Sequence, residues 1–272
     1  MTSVEQLAYS TVLIECVNAD GSAGSGTGFF VELEPNKETH APMLVLITNK
    51  HVVGNAKKLT LVFTVRQGDE PSDEKYRISL DNFRSLWRFH PDKNVDLCAL
   101  QISIVVSIAR RSGKELMISP FSVQQIATKD DYQKMVQGED VYMIGYPDGI
   151  KDTVNNQPIF RRGILATSPR FDFEGNPHFL TDMAVFPGSS GSPVVSIRYG
   201  MCVDTRRLIY REFGDGKVKL LGVTFATCLH SSLGKIVEIP SSCNAPLTDI
   251  PNNLGVVVKA DRIVELEPLF GV

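Results

Sequence analysis

The chain is built from short apolar runs that end before an amphipathic helix could develop. Thr11–Val17, Gly28–Leu33, Met43–Thr48, Leu59–Val65, Leu97–Ile102, Val141–Tyr146, Ile159–Ile164, Val194–Ile197, Val218–Ala226 and Gly255–Val258 are rich in Val, Ile, Leu, Phe and Thr, and turn residues bound most of them. Runs of this length and composition read as strands. Helical spacing is scarce. The best helix is Ala260–Leu266, with Asp261 near its start and Ile263 and Leu266 three apart; Ser122–Lys134 is a weaker second. Many short strands divided by turns point to an all-β sandwich or barrel. At 272 residues the chain suits one such domain. Val65–Lys75 and Asp148–Pro158 are polar and read as exposed loops. Gly214-Asp215-Gly216, inside the run Arg206–Lys219, reads as a hairpin turn. The stretch Ile108–Gln137 is the natural crossover between two halves.

Charge and cysteine usage narrow the function. A net charge of −3 gives no whole-chain attraction to nucleic acid or anionic lipid. The basic pairs Arg110-Arg111, Arg161-Arg162 and Arg206-Arg207 lack interleaved aromatics and read as solvated surface, so no nucleic-acid partner is expected. No run approaches the ~18 apolar residues of a membrane span, so no membrane partner is expected either. Met1–Gly21 carries Glu5, Glu15 and Asp20 and lacks a basic region before an apolar run, unlike a secretory leader. The five cysteines, Cys16, Cys98, Cys202, Cys228 and Cys243, are widely spaced with no C-x-x-C pair. They read as free or buried thiols in a reducing, cytoplasmic compartment, with no metal and no cofactor.

Three segments carry chemistry. A serine hydroxyl is a weak nucleophile and needs an adjacent base, an acid to orient that base, and N–H groups for the developing oxyanion. Gly188-Ser189-Ser190-Gly191-Ser192-Pro193 offers a tight turn around Ser190, with Gly188 free to take an unusual backbone geometry. His51 follows the apolar strand Leu44-Val45-Leu46-Ile47; His40, His90, His178 and His230 follow no run so clear. Asp96 opens the apolar run Leu97-Cys98-Ala99-Leu100, where a carboxylate is costly to bury unless paired. Each segment alone has a plain structural reading. Together, in the order His, Asp, Ser and 45 and 94 residues apart, they describe a triad.

These segments resemble the trypsin-like serine peptidases, most closely the protease domain of the HtrA/Deg branch. Ser25–Phe30, Ile47–Val53, Asp96–Leu100 and Thr181–Pro193 carry the resemblance. Val141–Gly149 and Gly255–Val258 echo it, so that it spans Thr11–Leu266. It implies a chymotrypsin-like fold of two six-stranded β-barrels with a short C-terminal helix. The first barrel would occupy about 1–110 with His51 and Asp96, and the second about 138–272 with Ser190. It implies a serine endopeptidase whose catalytic residues are His51, Asp96 and Ser190, with Gly188 and Ser190 forming the oxyanion hole. Ser189 stands where digestive relatives carry the aspartate that pairs with a freshly cut N-terminus, so that switch is not expected. Ser192 replaces a glycine of the pattern. The 272 residues hold no PDZ-type domain, so peptide-sensing and cage-forming habits are not carried over.

The resemblance also places the specificity pocket. Its floor falls at Ala184, which is uncharged, and Asp182 reads as structural. Val185, Phe225, Ala226, Thr227 and Val258 would complete the lining, and Thr224–Thr227 would pair with an extended substrate. The expected partner is a polypeptide cut after a small or medium apolar residue. A regulatory protein partner, or the loops Asp148–Pro158 and Arg206–Lys219, would supply restraint. Two other classes stand beside this reading. One is a silent pseudoprotease that binds peptides or partners. The other is an α/β-hydrolase, which needs the order Ser, Asp, His and a glycine at position 192.

Overall fold

The computed structural model describes residues 1–33, 43–81, 83–204, 209–232 and 248–271; Cys243 and the pair Arg206-Arg207 lie outside them. The strands form two sheets. The first holds β1 (Thr11–Asn18), β2 (Ala23–Leu33), β3 (Met43–Thr48), β4 (Ala56–Gln67), β5 (Glu70–Asp81), β6 (Trp87–Phe89), β7 (Cys98–Gln101) and β8 (Phe121–Ser122). Its order is β5-β4-β1-β2-β3-β7-β6, with the two-residue β8 lying parallel to β2. The second holds β9 (Asp140–Gly145), β10 (Ile159–Leu165), β11 (His178–Asp182), β12 (Pro193–Asp204), β13 (Ile209–Ser232) and β14 (Thr248–Lys259). It closes as a barrel in the order β10-β11-β14-β13-β12-β9. This is the chymotrypsin-like architecture.

Successive side chains of a strand point to opposite faces, and β2 and β3 bury both. Phe29, Val31, Val45 and Ile47 join Ile144, Val195, Leu220, Val223 and Val258 in a core shared with the barrel. Phe30 and Leu46 face the other way, into a core with Ile14, Leu59, Leu61, Phe83 and Leu100. That is why Leu44-Val45-Leu46-Ile47 reads as one unbroken apolar run. A third core of Met143, Leu165, Phe179, Val194, Leu221 and Val257 fills the barrel.

Several expectations change. Val65–Lys75 is no loop: it holds the end of β4, a turn at Gly68-Asp69 and the start of β5. β5 is an edge strand whose first half, Glu70–Lys75, is polar apart from Pro71; only its second half alternates, with Tyr76, Ile78 and Leu80 turned to the core. Gly214-Asp215-Gly216 is not a hairpin turn but lies within β13. There Phe213 pairs with Gly200 and Lys217 with Arg198, so three residues bulge against one, with Gly216 at φ +74°. The strand Val194–Ile197 therefore runs on to Asp204. A helix, Ser103–Arg111, leads into the crossover, and Ser122–Lys134 breaks into the 3-10 turn Val123–Gln125 and the one-turn helix Lys129–Tyr132. The C-terminal segment Ala260–Phe270 is a 3-10 helix. Its buried Ala260, Ile263 and Leu266 repeat every three residues, which is the 3-10 period.

Candidate active site

β3 ends at Thr48 and the chain turns at once into the one-turn helix Lys50–Val53. The helix is anchored by its flanks. The fully buried Asn49 donates from Nδ2 to the Asp96 carbonyl (2.7 Å), and Lys50 Nζ donates to the Asp92 carbonyl (2.8 Å). His51 then faces Asp96. Its Nδ1 lies 2.5 Å from Asp96 Oδ2, and its main-chain N–H donates to Oδ1 at 3.3 Å. One carboxylate thus orients both the ring and the backbone of His51. The His51 side chain is half-exposed, with 49% of its surface open against 22% for Asp96.

The Asp96 segment is braced from outside. Asp92 N–H donates to His90 Nδ1 (3.2 Å), and His90 Nε2 meets Glu265 Oε2 of the C-terminal helix at 3.0 Å. An acceptor at Nδ1 leaves the proton on Nε2, so the ring joins the segment to that helix as a neutral tautomer. His178 supports the same segment from the barrel. Its ring packs on Phe225 at 4.7 Å. Burial lowers its pKa, outweighing the opposing pull of the Asn94 main chain and of Asp172 and Asp96.

Phe186–Ser189 form a turn closed by Ser189 N–H to the Phe186 carbonyl (3.0 Å). Pro187 in the second position and Gly188 at φ +83° in the third make it type II. No other residue would fit at 188, because a Cβ there would lie 2.5 Å from the Tyr146 carbonyl. The Pro187 carbonyl accepts from Asp148 N–H (2.6 Å), which directs the N–H of the same peptide, that of Gly188, the opposite way. Ser189 Oγ accepts from Phe186 N–H (3.3 Å), so a neutral hydroxyl locks the turn. Among the described residues, neither Gly188 N–H nor Ser190 N–H is engaged in a hydrogen bond.

The half-buried Ser190 sits where this turn meets both sheets. Its carbonyl accepts from Thr27 N–H of β2 (2.8 Å), and Gly191 N–H donates to the Thr224 carbonyl of β13 (2.8 Å). Gly191, at φ +85°, passes so near the first sheet that a Cβ would lie 2.0 Å from the Thr27 carbonyl and 2.4 Å from Thr48 Oγ1. Thr48 closes the strand that delivers His51. The structure therefore joins His51 to Asp96 directly and sets the Ser190 turn against the strand leading to His51.

The expected pocket residues divide. Val185 and Val258 point into the cores, at 5% and 0% exposure, and Thr224 is buried with Oγ1 on Met143 Sδ (3.4 Å). Ala184, Phe225, Ala226 and Thr227 are half-buried, while Asp182 is exposed. Ala226 and Thr227 pair with β14 on one side, and the ladder with β12 stops at Val223, which leaves this stretch an open edge. Ser192 is fully buried, and its Oγ has no partner among the described residues. Cys16, Cys98 and Cys228 are free thiols; burial pushes Cys16 up to about 11 and Cys98 well upward, so both stay protonated and unreactive. Among the described residues no group of three His, Cys, Asp or Glu could hold a metal, and no helix is long and apolar enough to cross a membrane.

A family model described as a trypsin-like peptidase domain matches residues 26–203. No curated protein matches the chain. Among solved structures, it is similar to an HtrA-type protease, AlgW, with tripeptide. The TM-score is 0.52 at 16% identity, covering 98% of this chain and 61% of that one. A variant of the same protease gives 0.53 at 15% identity, covering 98% and 62%. A serine endoprotease from Yersinia pestis gives 0.50 at 15%, covering 100% and 68%. At such identities the likeness concerns the fold. The chain spans about three fifths of the length of the AlgW chains.

Proposed function

The chain belongs to the trypsin-like peptidase domain family, and from that premise we propose that it is a serine endopeptidase in which Ser190, His51 and Asp96 form the catalytic triad. The observation that carries this reading is the 2.5 Å contact between His51 Nδ1 and Asp96 Oδ2 beside the turn that presents Ser190. Ser190 Oγ attacks the substrate carbonyl while His51 Nε2 takes its proton and later returns it to the leaving amine. Asp96 keeps the proton of the neutral ring on Nδ1 and stabilises the imidazolium that forms. The oxyanion is received by the N–H groups of Gly188 and Ser190. Water then repeats the sequence on the acyl-enzyme.

Substrate enters as an extended strand along the open edge at Phe225–Thr227. Ala184 supplies no charge for a basic side chain, and the Arg161 guanidinium stacked 5.0 Å from the Phe186 ring adds positive charge beside the turn. Cleavage after a small or medium apolar residue follows, with Lys and Arg disfavoured. The free thiols support a reducing, cytoplasmic setting.

A fluorophosphonate probe and an unstructured protein substrate test the assignment together. The parent chain is expected to be labelled at Ser190 and to cleave, and Ser190→Ala to fold, resist labelling and leave the substrate intact. Cleavage by Ser190→Ala, or a parent chain that takes no label, overturns the reading. The second outcome would favour a silent, peptide-binding protease fold. Profiling that returned a strong preference for Lys or Arg would overturn the pocket assignment alone.

A further inference from the structure

Thr27 lies in β2, is wholly buried and touches none of the groups that would react. Yet every polar atom it has is engaged: three of its four hydrogen bonds cross to segments of the barrel, and the fourth stays within the first sheet, at Thr48 of β3. Its N–H donates to the Ser190 carbonyl (2.8 Å), and its carbonyl accepts from Thr48 Oγ1 (2.7 Å). Its hydroxyl donates to the Gly188 carbonyl (2.9 Å) and accepts from Tyr146 N–H (3.1 Å). A hydroxyl has one proton to give, and here it goes to the carbonyl of the glycine read as the oxyanion donor.

Glycine has the least intrinsic preference to keep its own dihedrals, so Gly188 stays at φ +83° only if its two flanking peptides are fixed. The peptide before it is fixed by Asp148 N–H on the Pro187 carbonyl (2.6 Å); the peptide after it is held at its N–H by the Phe186 carbonyl (3.0 Å) and at its carbonyl by the Thr27 hydroxyl (2.9 Å). The Tyr146 N–H on the same hydroxyl sets the start of the segment from which Asp148 reaches Pro187. Thr27 therefore acts on Gly188 twice, directly and through Tyr146–Asp148. We propose that Thr27 is a positioning residue whose hydroxyl holds the Gly188 peptide with its N–H turned toward the substrate oxyanion. Through it, the sheet carrying His51 also sets the geometry of the oxyanion site. This rests on the reading of Ser190 as nucleophile and Gly188 as oxyanion donor.

Thr27→Val keeps the shape and removes the hydroxyl; Thr27→Ser keeps the hydroxyl. Losing one oxyanion donor outright costs roughly 10²–10³-fold in kcat, and a donor left mobile should cost roughly 10–100-fold. Thr27→Val is therefore expected to lose about that much kcat, with KM changed less than about threefold because ground-state binding does not use the oxyanion. Affinity for a peptide aldehyde, whose adduct needs the oxyanion donors, should fall in parallel with kcat. Thr27→Ser should stand within about threefold of the parent in both. If Thr27→Val does not fold, Thr27→Ala is read in its place. A hydroxyl-free variant with parental kcat overturns the proposal, and so does a Thr27→Ser enzyme as slow as Thr27→Val. Ser190→Ala, assayed alongside, separates the two claims. With that control dead, an unaffected Thr27 variant removes only the positioning role; a live control removes the reading of the site as well.

Discussion

The Ser190 turn and the His51–Asp96 pair are held by opposite means. The turn is a backbone object. Its shape comes from Pro187 and Gly188, and its anchors are main-chain groups of Thr27, Asp148 and Thr224 with two short hydroxyls, those of Thr27 and Ser189. The pair is a side-chain object. Two flexible side chains 45 residues apart meet at 2.5 Å, and their segments are braced by Asn49, Lys50, His90, His178 and Glu265. Such a turn tolerates side-chain change except where a Cβ has no room or where a hydroxyl, as at Thr27 and Ser189, holds one of its peptides. A side-chain object fails by degrees as its supports are removed.

Asp96→Asn should show the largest effect. It keeps the shape of the pair but not the carboxylate that fixes the tautomer, so kcat should fall roughly 10⁴-fold with the fold unchanged. Steady-state kinetics beside a thermal melt would check this, and a loss under tenfold would remove Asp96 from the triad. Gly188→Ala attacks the turn. Its Cβ has no space at φ +83°, so the oxyanion peptide must move and kcat should drop roughly 10²–10³-fold.

Gly191→Ala sharpens the contrast, because it should damage stability as well as rate. An L-residue at φ +85° costs roughly 1–2 kcal/mol, and overpacking against the Thr27 carbonyl adds roughly 1–3 kcal/mol. A denaturant midpoint at the parental value would contradict this close approach. Glu265→Ala removes one brace of the pair from a distance. It leaves the buried His90 Nε2–H without an acceptor and should cost roughly 1–3 kcal/mol, with only a few-fold loss of kcat.

The smallest effect is a pH slope. Burial places the folded pKa of His178 below its unfolded value of about 6.5. On acidification the unfolded chain therefore takes up the proton first. The neutral ring's contribution is complete above about pH 6.5 and is lost as pH falls below that value toward the folded pKa. Urea melts between pH 7 and 5 should show this decline, and His178→Phe should flatten it. An unchanged slope would mean that other groups carry the acid sensitivity.

Strands such as β3 and β9 were readable because burial on both faces demands continuous apolar runs, as in Leu44–Ile47 and Val141–Ile144. The first half of β5 was not readable, since Glu70–Lys75 runs along the sheet's edge and is polar apart from Pro71. The length of β12 and β13 was hidden as well. Gly214-Asp215-Gly216 has the composition of a turn, and only the pairing of Phe213 with Gly200 makes it a bulge. β11 escaped notice because His178 and the neighbouring Thr181 and Asp182 dilute a five-residue strand. In the site, Val185 and Val258 carry no local sign of which way they point; the barrel's closure turns them inward.

What the sequence determined by itself was local and covalent. It set the short apolar runs that make strands, the Pro-Gly pair that makes a type II turn, and the residue types able to act as nucleophile, base and acid. What the tertiary structure alone decided was distance. The contact of His51 with Asp96, the His90–Glu265 brace and the four hydrogen bonds of Thr27 each join residues at least 21 positions apart. Such contacts have no signature along the chain, because a hydrogen bond depends on where two groups lie in space and not on how many residues separate them.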